Sequence, residues 1–395
     1  MKDKELTGMK GIKEIFLVFI NPFHPFIPVN FLFFVFRQID ICSKIFETTM
    51  RKFFVTGGAG FIGSAFIHLI LSETDDVEIT NFDALTYAGN LENLNGVDES
   101  RYNFVKGDIC DRAAVLAALP EETDAIINFA AESHVDRSIQ SANEFVLTNV
   151  LGTQVLLDAA RAKNVRRFCQ ISTDEVMGSL PDDSDEFFTE TSPLAPNSPY
   201  AASKAAAEHF VRAAQHTFGL DTVITRCGNN YGHRQFPEKL IPLMIANALN
   251  DEPLPVYGDG KNVRDWIFVD DHARAVWQVL ETGKTGEIYN IGARNERENL
   301  DVVKSILDAL GKPHSLIKFV TDRLGHDRRY AIDPKKIETE LGWKPRETWE
   351  SGLEKTVRWY LENQDWVARV RSGEYQNYFR RQYGFEIKAA TETRP

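Results

Sequence analysis

The stretch Thr56-Gly57-Gly58-Ala59-Gly60-Phe61-Ile62-Gly63 restricts the fold of this chain more than any other feature of its sequence. It satisfies both the G-x-x-G-x-x-G spacing (57, 60, 63) and the G-x-G-x-x-G spacing (58, 60, 63). An apolar run, Lys52–Thr56, reads as a strand before it, and an amphipathic pattern, Ser64–Ser72, reads as a helix after it. In that setting the glycines permit a tight turn, a close backbone approach to a pyrophosphate and close helix-to-strand packing, with the helix N-terminus facing the anion. Asp83 lies twenty residues beyond Gly63, at the end of the next predicted strand. A carboxylate there accepts a ribose 2′-hydroxyl and repels a 2′-phosphate, so the pattern predicts NAD rather than NADP. Asp108, in Lys106-Gly107-Asp108-Ile109, is placed to reach the adenine end.

The rest of the chain after Met50 alternates short apolar runs with amphipathic stretches. Strands are predicted at Lys52–Thr56, Val77–Phe82, Tyr102–Val105, Ala125–Asn128, Phe168–Ile171 and Thr222–Thr225, and helices at Ser64–Ser72, Asp111–Ala118 and Ala142–Ala162. This alternation predicts an α/β fold, a Rossmann-type doubly wound parallel sheet over residues 51–230. Beyond Asn230 the order loosens, with Pro/Gly-rich loops at Pro253–Gly260 and helical stretches near Asp270–Glu281 and Leu300–Leu310. Residues 231–395 are therefore expected to form mainly a smaller C-terminal substrate-binding lobe, with segments returning to the first domain.

Residues 1–50 are foreign to this pattern. Nine of the 27 phenylalanines fall there. Asn21, Pro22, His24, Pro25, Pro28 and Asn30 interrupt the apolar stretch, so no run approaches the ~20 residues of a membrane span. The segment reads as an extension outside the functional enzyme, unstructured or preceding a functional start at Met50. The formal net charge of −12 opposes phosphate backbones, so nucleic-acid binding is not expected. Cys42, Cys110, Cys169 and Cys227 are scattered without a C-x-x-C pair, which argues against a metal site or a disulfide framework and for a cytoplasmic protein.

Two further patterns bear on chemistry. Tyr200-Ala201-Ala202-Ser203-Lys204 is Y-x-x-x-K on a predicted helix, Tyr200–Phe218, which puts phenol and ammonium on one face. A nearby cation favours the phenolate and makes tyrosine a usable base near neutrality. Ser172-Thr173-Asp174-Glu175-Val176 follows the predicted fifth strand, at the carboxyl end of the sheet where open α/β folds bind ligands. Two adjacent acids can be tuned apart into a neutral acid and an ionised base, which suits an elimination.

With these motifs the sequence resembles the extended short-chain dehydrogenase/reductases, and among them the dTDP-glucose 4,6-dehydratases. The matching stretches include TGGAGFIGSA (56–65), LTYAGNLENL (85–94), AAESHVDRSI (130–139), STDEV (172–176), SPYAASKA (198–205), NNYG (229–232), FPEKLIPL (236–243), VYGDGKNVRDWIFVDDHA (256–273) and GHDRRYAID (325–333), and they cover residues 51–380.

The resemblance implies a tightly retained NAD and a nucleotide-sugar substrate, dTDP-glucose. It casts Tyr200 as the base at the C4 hydroxyl, aided by Thr173, Lys204 as the ribose holder, Glu175 as the base at C5 and Asp174 as the acid at the departing C6 hydroxyl. Cofactor contacts carry over to Gly57, Gly60, Phe61, Ile62, Gly63, Asp83, Thr86, Asp108, Ile109, Ala130, Ala131, Thr148 and Asn230. Sugar, diphosphate and base contacts carry over to Ser133, Thr173, Asn229, Glu238, Lys239, Leu240, Pro255, Tyr257, Arg264, Asn299, Arg323 and His326. Arg and Lys suit a diphosphate because they donate charge-assisted, often bidentate hydrogen bonds.

A homodimer through the helices at Ala142–Ala162 and Tyr200–Phe218 is also implied. Met177, His233 and Leu324 depart from the family pattern, where Tyr, Pro and Pro are usual. The alternatives are a UDP-sugar 4-epimerase, a UDP-glucuronate decarboxylase, or a non-catalytic nucleotide sensor on the same fold. The Asp174–Glu175 pair separates the first reading from these.

Overall fold

The computed structural model describes residues 50–182 and 184–371. The Phe-rich opening stretch, through residue 49, lies outside the described residues. Seven strands build the central sheet: β1 (Arg51–Thr56), β2 (Val77–Asp83), β3 (Tyr102–Lys106), β4 (Ala125–Asn128), β5 (Arg167–Thr173), β6 (Thr222–Cys227) and β10 (Ile288–Ile291). Their order is β10-β6-β5-β4-β1-β2-β3, and every pairing is parallel. The order reverses between β1 and β4, and ligands bind outside the carboxyl ends of the strands at such a point.

The inner strands β1, β4, β5 and β6 are mostly buried because helices cover both faces, whereas the edge strand β3 is not. In β1, Phe53 and Val55 join Phe66, Ile67 and Val276 in one core, whereas Phe54, between them, joins Phe82, Phe168 and Val211 in the other. The period of two along the strand decides which core each side chain enters. Helix α1 (Phe61–Glu73) follows the glycine loop and α2 (Thr153–Ala162) precedes β5. Helix α3 (Pro199–Phe218) is capped by the Ser198 hydroxyl, has Pro199 in its first turn, and stops at Gly219 in the left-handed region.

Later chain serves both parts of the molecule. Strand β10 pairs with β6 and forms that edge of the sheet, and the helix Val269–Thr282 supplies Ala273, Val276 and Val279 to the same core as α1. Strands β7 (Asn229–Tyr231), β9 (Val263–Phe268) and β11 (Glu296–Glu298) form a small sheet, and β8 (Leu254–Tyr257) pairs with β12 (Ile317–Val320). Tyr231, Met244, Trp266, Trp349 and Tyr360 anchor a separate apolar cluster beneath them.

One predicted helix is not continuous. Between Ala142 and Ala162 the chain forms a short α-helix at Asn143–Phe145, a π-helical stretch at Val146–Gly152, and then α2. Asn149, buried in the π-helical stretch, exchanges hydrogen bonds with the Glu132 backbone and donates to the Ser203 hydroxyl at 2.8 Å. Hydrophobic periodicity does not register an extra residue in a helical turn, which the side-chain amide here holds in place. The strand β5 also runs two residues further than its apolar run, so Ser172 and Thr173 sit in the ladder opposite Arg226 and Cys227.

Candidate active site

The glycine loop is shaped by backbone contact. Gly57 has φ +70°, and a side chain on it would lie 2.6 Å from the Ala130 amide nitrogen. One on Gly63 would lie 2.4 Å from the Gly57 carbonyl oxygen. Gly60 caps α1 without a side chain, so the amides of the helix start stay open toward the cleft. Asp83 accepts from the Ala59 amide at 2.9 Å and from the Leu85 amide at 2.8 Å, one bond to each carboxylate oxygen. Burial pushes its carboxyl up and these two amides pull it back. A carboxylate has about four acceptor sites, so capacity remains for a ribose hydroxyl. These features fit a dinucleotide: an anion cradle that side chains would fill, followed by an acceptor at the end of β2.

The cleft so formed is lined by most of the predicted cofactor residues. Phe61, Ile62, Gly63, Asp83 and Thr86 line one end with Gly57 and Gly60. Asp108, Ile109, Ala130, Ala131 and Thr148 line the side beyond β3 and β4. Asn230 closes the cleft near Cys227, to whose sulfur its side-chain amide donates at 3.4 Å. Thr173, Asp174, Glu175, Tyr200 and Lys204 stand at the other end, together with Ser133, Asn229, Glu238 and Lys239.

The ionisable groups at that end are out of water. Tyr200 lies against Phe145 edge-on, and burial first, then the neighbouring Glu175, pushes its phenol well above its ordinary range, while the Thr173 hydroxyl hydrogen-bonds it. The Lys204 ammonium donates to the Ile171 carbonyl at 2.6 Å, and burial pushes it down to about 8. Asp174 is 1% exposed and its Oδ2 has no hydrogen-bond partner, while Oδ1 accepts from the Thr173 hydroxyl at 3.3 Å. Burial, then the adjacent Glu175, pushes its carboxyl well above the usual carboxylate range. Glu175 is also raised by burial, but Arg323, Arg264 and Lys239 oppose the rise. The two acids are thus tuned apart by different neighbours: burial favours the neutral form of Asp174, while three cations favour the ionised form of Glu175.

Leu240, Pro255, Tyr257, Arg264, Asn299, Arg323 and His326 stand beside this cleft rather than in its lining. Lys239 donates to the Ser133 carbonyl at 2.7 Å, and Leu240 opens the helix that follows it. Arg264 stacks over Tyr330 at 4.2 Å and donates to the Asp327 carbonyl at 2.8 Å, with its charge reaching Glu175 and Asp174. Tyr257 meets His326 edge-on at 6.0 Å and donates to Asp136 at 3.1 Å, and Arg323 approaches the same Asp136 carboxylate at 3.7 Å. Pro255 lies in β8, paired with Lys318, and the Asn299 amide is tied to the Asn262 carbonyl at 2.9 Å.

Two residues absent from the sequence-derived set belong here. Arg137 stacks over Tyr87 at 3.9 Å and pairs with the buried Glu238 at 3.1 Å, and Asp136 links Tyr257 with Arg323. Both lie in the AAESHVDRSI stretch (130–139), where the sequence signal marks only Ala130, Ala131 and Ser133. Among the described residues no group of His, Cys, Asp and Glu is arranged to hold a metal ion, and no helix is long and apolar enough to cross a membrane.

Known proteins are similar to this chain in sequence and fold. The family model described as GDP-mannose 4,6 dehydratase matches residues 54–356. The dTDP-glucose 4,6-dehydratase of Neisseria meningitidis is 55% identical over 349 residues, 83% of this chain and 98% of that protein. That of Salmonella typhimurium is 52% identical, covering 84% of this chain and 99% of its own. A crystal structure of DesIV, a dTDP-glucose 4,6-dehydratase from Streptomyces venezuelae with NAD and TYD bound, superposes with a TM-score of 0.77 at 50% identity, covering 80% of this chain and 98% of that one. A UDP-glucose 4-epimerase from Thermus thermophilus in complex with NAD superposes at 0.73 with 30% identity, over 79% of this chain and 99% of that one. A family model matched along most of the chain, joined by relatives more than half identical over nearly their whole length, establishes that the chain belongs to the GDP-mannose 4,6 dehydratase family.

Proposed function

We propose that the chain is a hydro-lyase that converts dTDP-glucose to dTDP-4-keto-6-deoxyglucose with a tightly held NAD. The observation that carries this reading is the Asp174–Glu175 pair, its aspartate buried and its glutamate half-buried, beside Tyr200 and Lys204: an epimerase or decarboxylase needs the tyrosine base but has no departing hydroxyl to protonate. Gly57, Gly60, Gly63 and Asp83 hold the cofactor, which when bound supplies the hydride acceptor at C4 and the hydride that C6 later receives. Tyr200 Oη takes the proton of the C4 hydroxyl, with Thr173 Oγ1 orienting that oxygen. Lys204 Nζ stabilises the phenolate against the burial that otherwise keeps the phenol protonated. Glu175 then removes the C5 proton, acidified by the new C4 ketone, while Asp174 Oδ2 protonates the C6 oxygen, which leaves as water. Glu175 finally returns a proton to C5.

Lys239, Arg264 and Arg323 are the cations suited to the diphosphate, and Tyr257 and Pro255 to the base. Val146, Leu147 and Leu151 on the π-helical stretch and Phe210 and Phe218 on α3 are exposed, between 41% and 54%. These support a homodimer through those helices, and a cytoplasmic location accords with the unpaired Cys110, Cys169 and Cys227. Incubation with dTDP-glucose and, separately, UDP-glucose tests the reading. Loss of one water from the dTDP sugar, with a 4-keto-6-deoxy product by NMR, is expected; a galactose nucleotide or no change would overturn it.

A further inference from the structure

Behind the proposed reaction centre sits an ion pair that the chemistry above does not use. Glu208 lies one turn beyond Lys204 on α3, and Arg226 lies on β6 opposite Ser172. The guanidinium Nε donates to both carboxylate oxygens, at 3.0 and 3.2 Å, and Nη2 donates to Oε2 at 2.7 Å. Both side chains are 3% exposed. The other face of Arg226 reaches the Met177 sulfur at 3.6 Å and the Glu190 carbonyl at 3.4 Å. One guanidinium therefore touches the helix that carries Tyr200 and Lys204 and the turn that carries Asp174 and Glu175. Its strand neighbour Cys227 pairs in register with Thr173.

Burying two charges is a poor way to gain stability, since a well-packed apolar pair of the same volume serves as well or better. Its geometric specificity is what distinguishes it, because a bidentate Arg–carboxylate pair tolerates little sliding of one element on another. We propose that Glu208 and Arg226 are positioning residues of the reaction, locking the Tyr200–Lys204 helix in register with the Thr173–Glu175 segment and placing a fixed carboxylate one turn from the Lys204 ammonium. The proposal rests on the role given above to Tyr200 and Lys204.

The charges around Lys204 support it. Glu208, one turn along its own helix and bound to Arg226 of β6, and Cys227 of β6 act on it, and Tyr200, Asp174 and Glu175 line the same cleft. Burial drives the ammonium toward its neutral form, and Glu208 is the largest opposing influence, followed by Cys227. Without that carboxylate, Lys204 would lose its proton at a pH nearer neutrality, and a neutral amine no longer favours the phenolate. The reaction would then fail first on the alkaline side.

The test is the Lys204 titration midpoint in the NAD-bound enzyme, read from its side-chain 13Cε shift and assigned with Lys204→Met, together with kcat for dTDP-glucose from pH 6 to 10. Glu208→Gln keeps hydrogen bonds to Arg226 but removes the charge; it should lower the Lys204 midpoint by about one unit and cut kcat at pH 9 relative to pH 7 by about fivefold. Glu208→Asp should restore both. Should the single variant fold poorly, Glu208→Gln/Arg226→Gln removes the stranded guanidinium and should move the midpoint the same way. An unmoved midpoint in either folded variant would overturn the proposal, even with a lowered Tm. Failure of the wild-type enzyme to dehydrate dTDP-glucose would instead sink the functional reading, and the midpoint would still report on Glu208.

Discussion

The two ends of the cleft are made of different materials. At the end built from β1, β2 and the glycine loop, recognition comes from backbone: absent side chains at Gly57 and Gly63, open amides at the start of α1, and one carboxylate bound to two amides. At the β5–β6 end the proposed working groups are side chains, with Asp174, Tyr200 and Lys204 all shifted by burial before any neighbour acts. The first end holds a ligand by shape and costs the fold little. The second shifts Asp174 and Tyr200 upward and Lys204 downward from their ordinary values, and burying the Lys204 charge comes at the expense of stability.

Mutations should separate these ends by size and kind of effect. The largest loss is expected for Tyr200→Phe, about 10³-fold or more in kcat, with NAD still bound, because removing a general base costs typically 10²–10⁴. Steady-state turnover and the cofactor content of the purified protein check it, and turnover near wild type would remove the proposed base. Glu175→Gln and Asp174→Asn should each slow product formation by about 10²-fold or more. Both should still exchange hydride at C4, seen as transient NADH absorbance; normal dehydration by Glu175→Gln would cancel its role at C5.

Gly63→Ala attacks the opposite end. The added carbon meets a carbonyl oxygen at 2.4 Å, so a strain of ~1–3 kcal/mol should weaken NAD retention by about ten- to a hundredfold, with the proton-transfer groups intact. Titration calorimetry on cofactor-stripped protein measures it, and full recovery of kcat at saturating NAD would confirm that the two ends fail separately.

A smaller effect concerns stability. Lys204 loses its proton near pH 8 in the fold and near 10.4 when unfolded, so below about pH 8 the unfolded state is favoured by its ionisation, and this cost shrinks as pH rises from 8 toward 10.4. Lys204→Met should therefore stabilise the cofactor-free protein at pH 7, by about 3 kcal/mol at most, while abolishing turnover. A lower Tm for that variant at pH 7 would contradict the desolvation argument. The smallest effect, none, is expected on deleting residues 1–50: NAD content and kcat should match the full chain, and poor cofactor binding by the shortened protein would give that segment a role.

The cofactor end was legible in the sequence because its requirements are local. A glycine where a side chain would strike backbone, a strand before it, a helix after it and a carboxylate at the end of the next strand can all be counted along the chain. The Tyr200–Lys204 spacing and the adjacent Asp174 and Glu175 were visible in the same way. What was not legible came from distant segments meeting. Arg137 pairs with Glu238 across 101 positions and Tyr257 reaches Asp136 across 121, and no periodicity announces either. The π-helical stretch at Val146–Gly152 also escaped, because its apolar pattern reads as ordinary helix and only the Asn149 bonds to Glu132 and Ser203 reveal the altered turn.

Local chemistry along the chain was enough for the parallel sheet, the dinucleotide loop and the candidates proposed to move protons. Their protonation was decided in three dimensions. Whether Asp174 is an acid or a bystander depends on how completely Thr173, Glu175 and the surrounding core exclude water, and desolvation is a property of the packed interior that no stretch of sequence carries by itself.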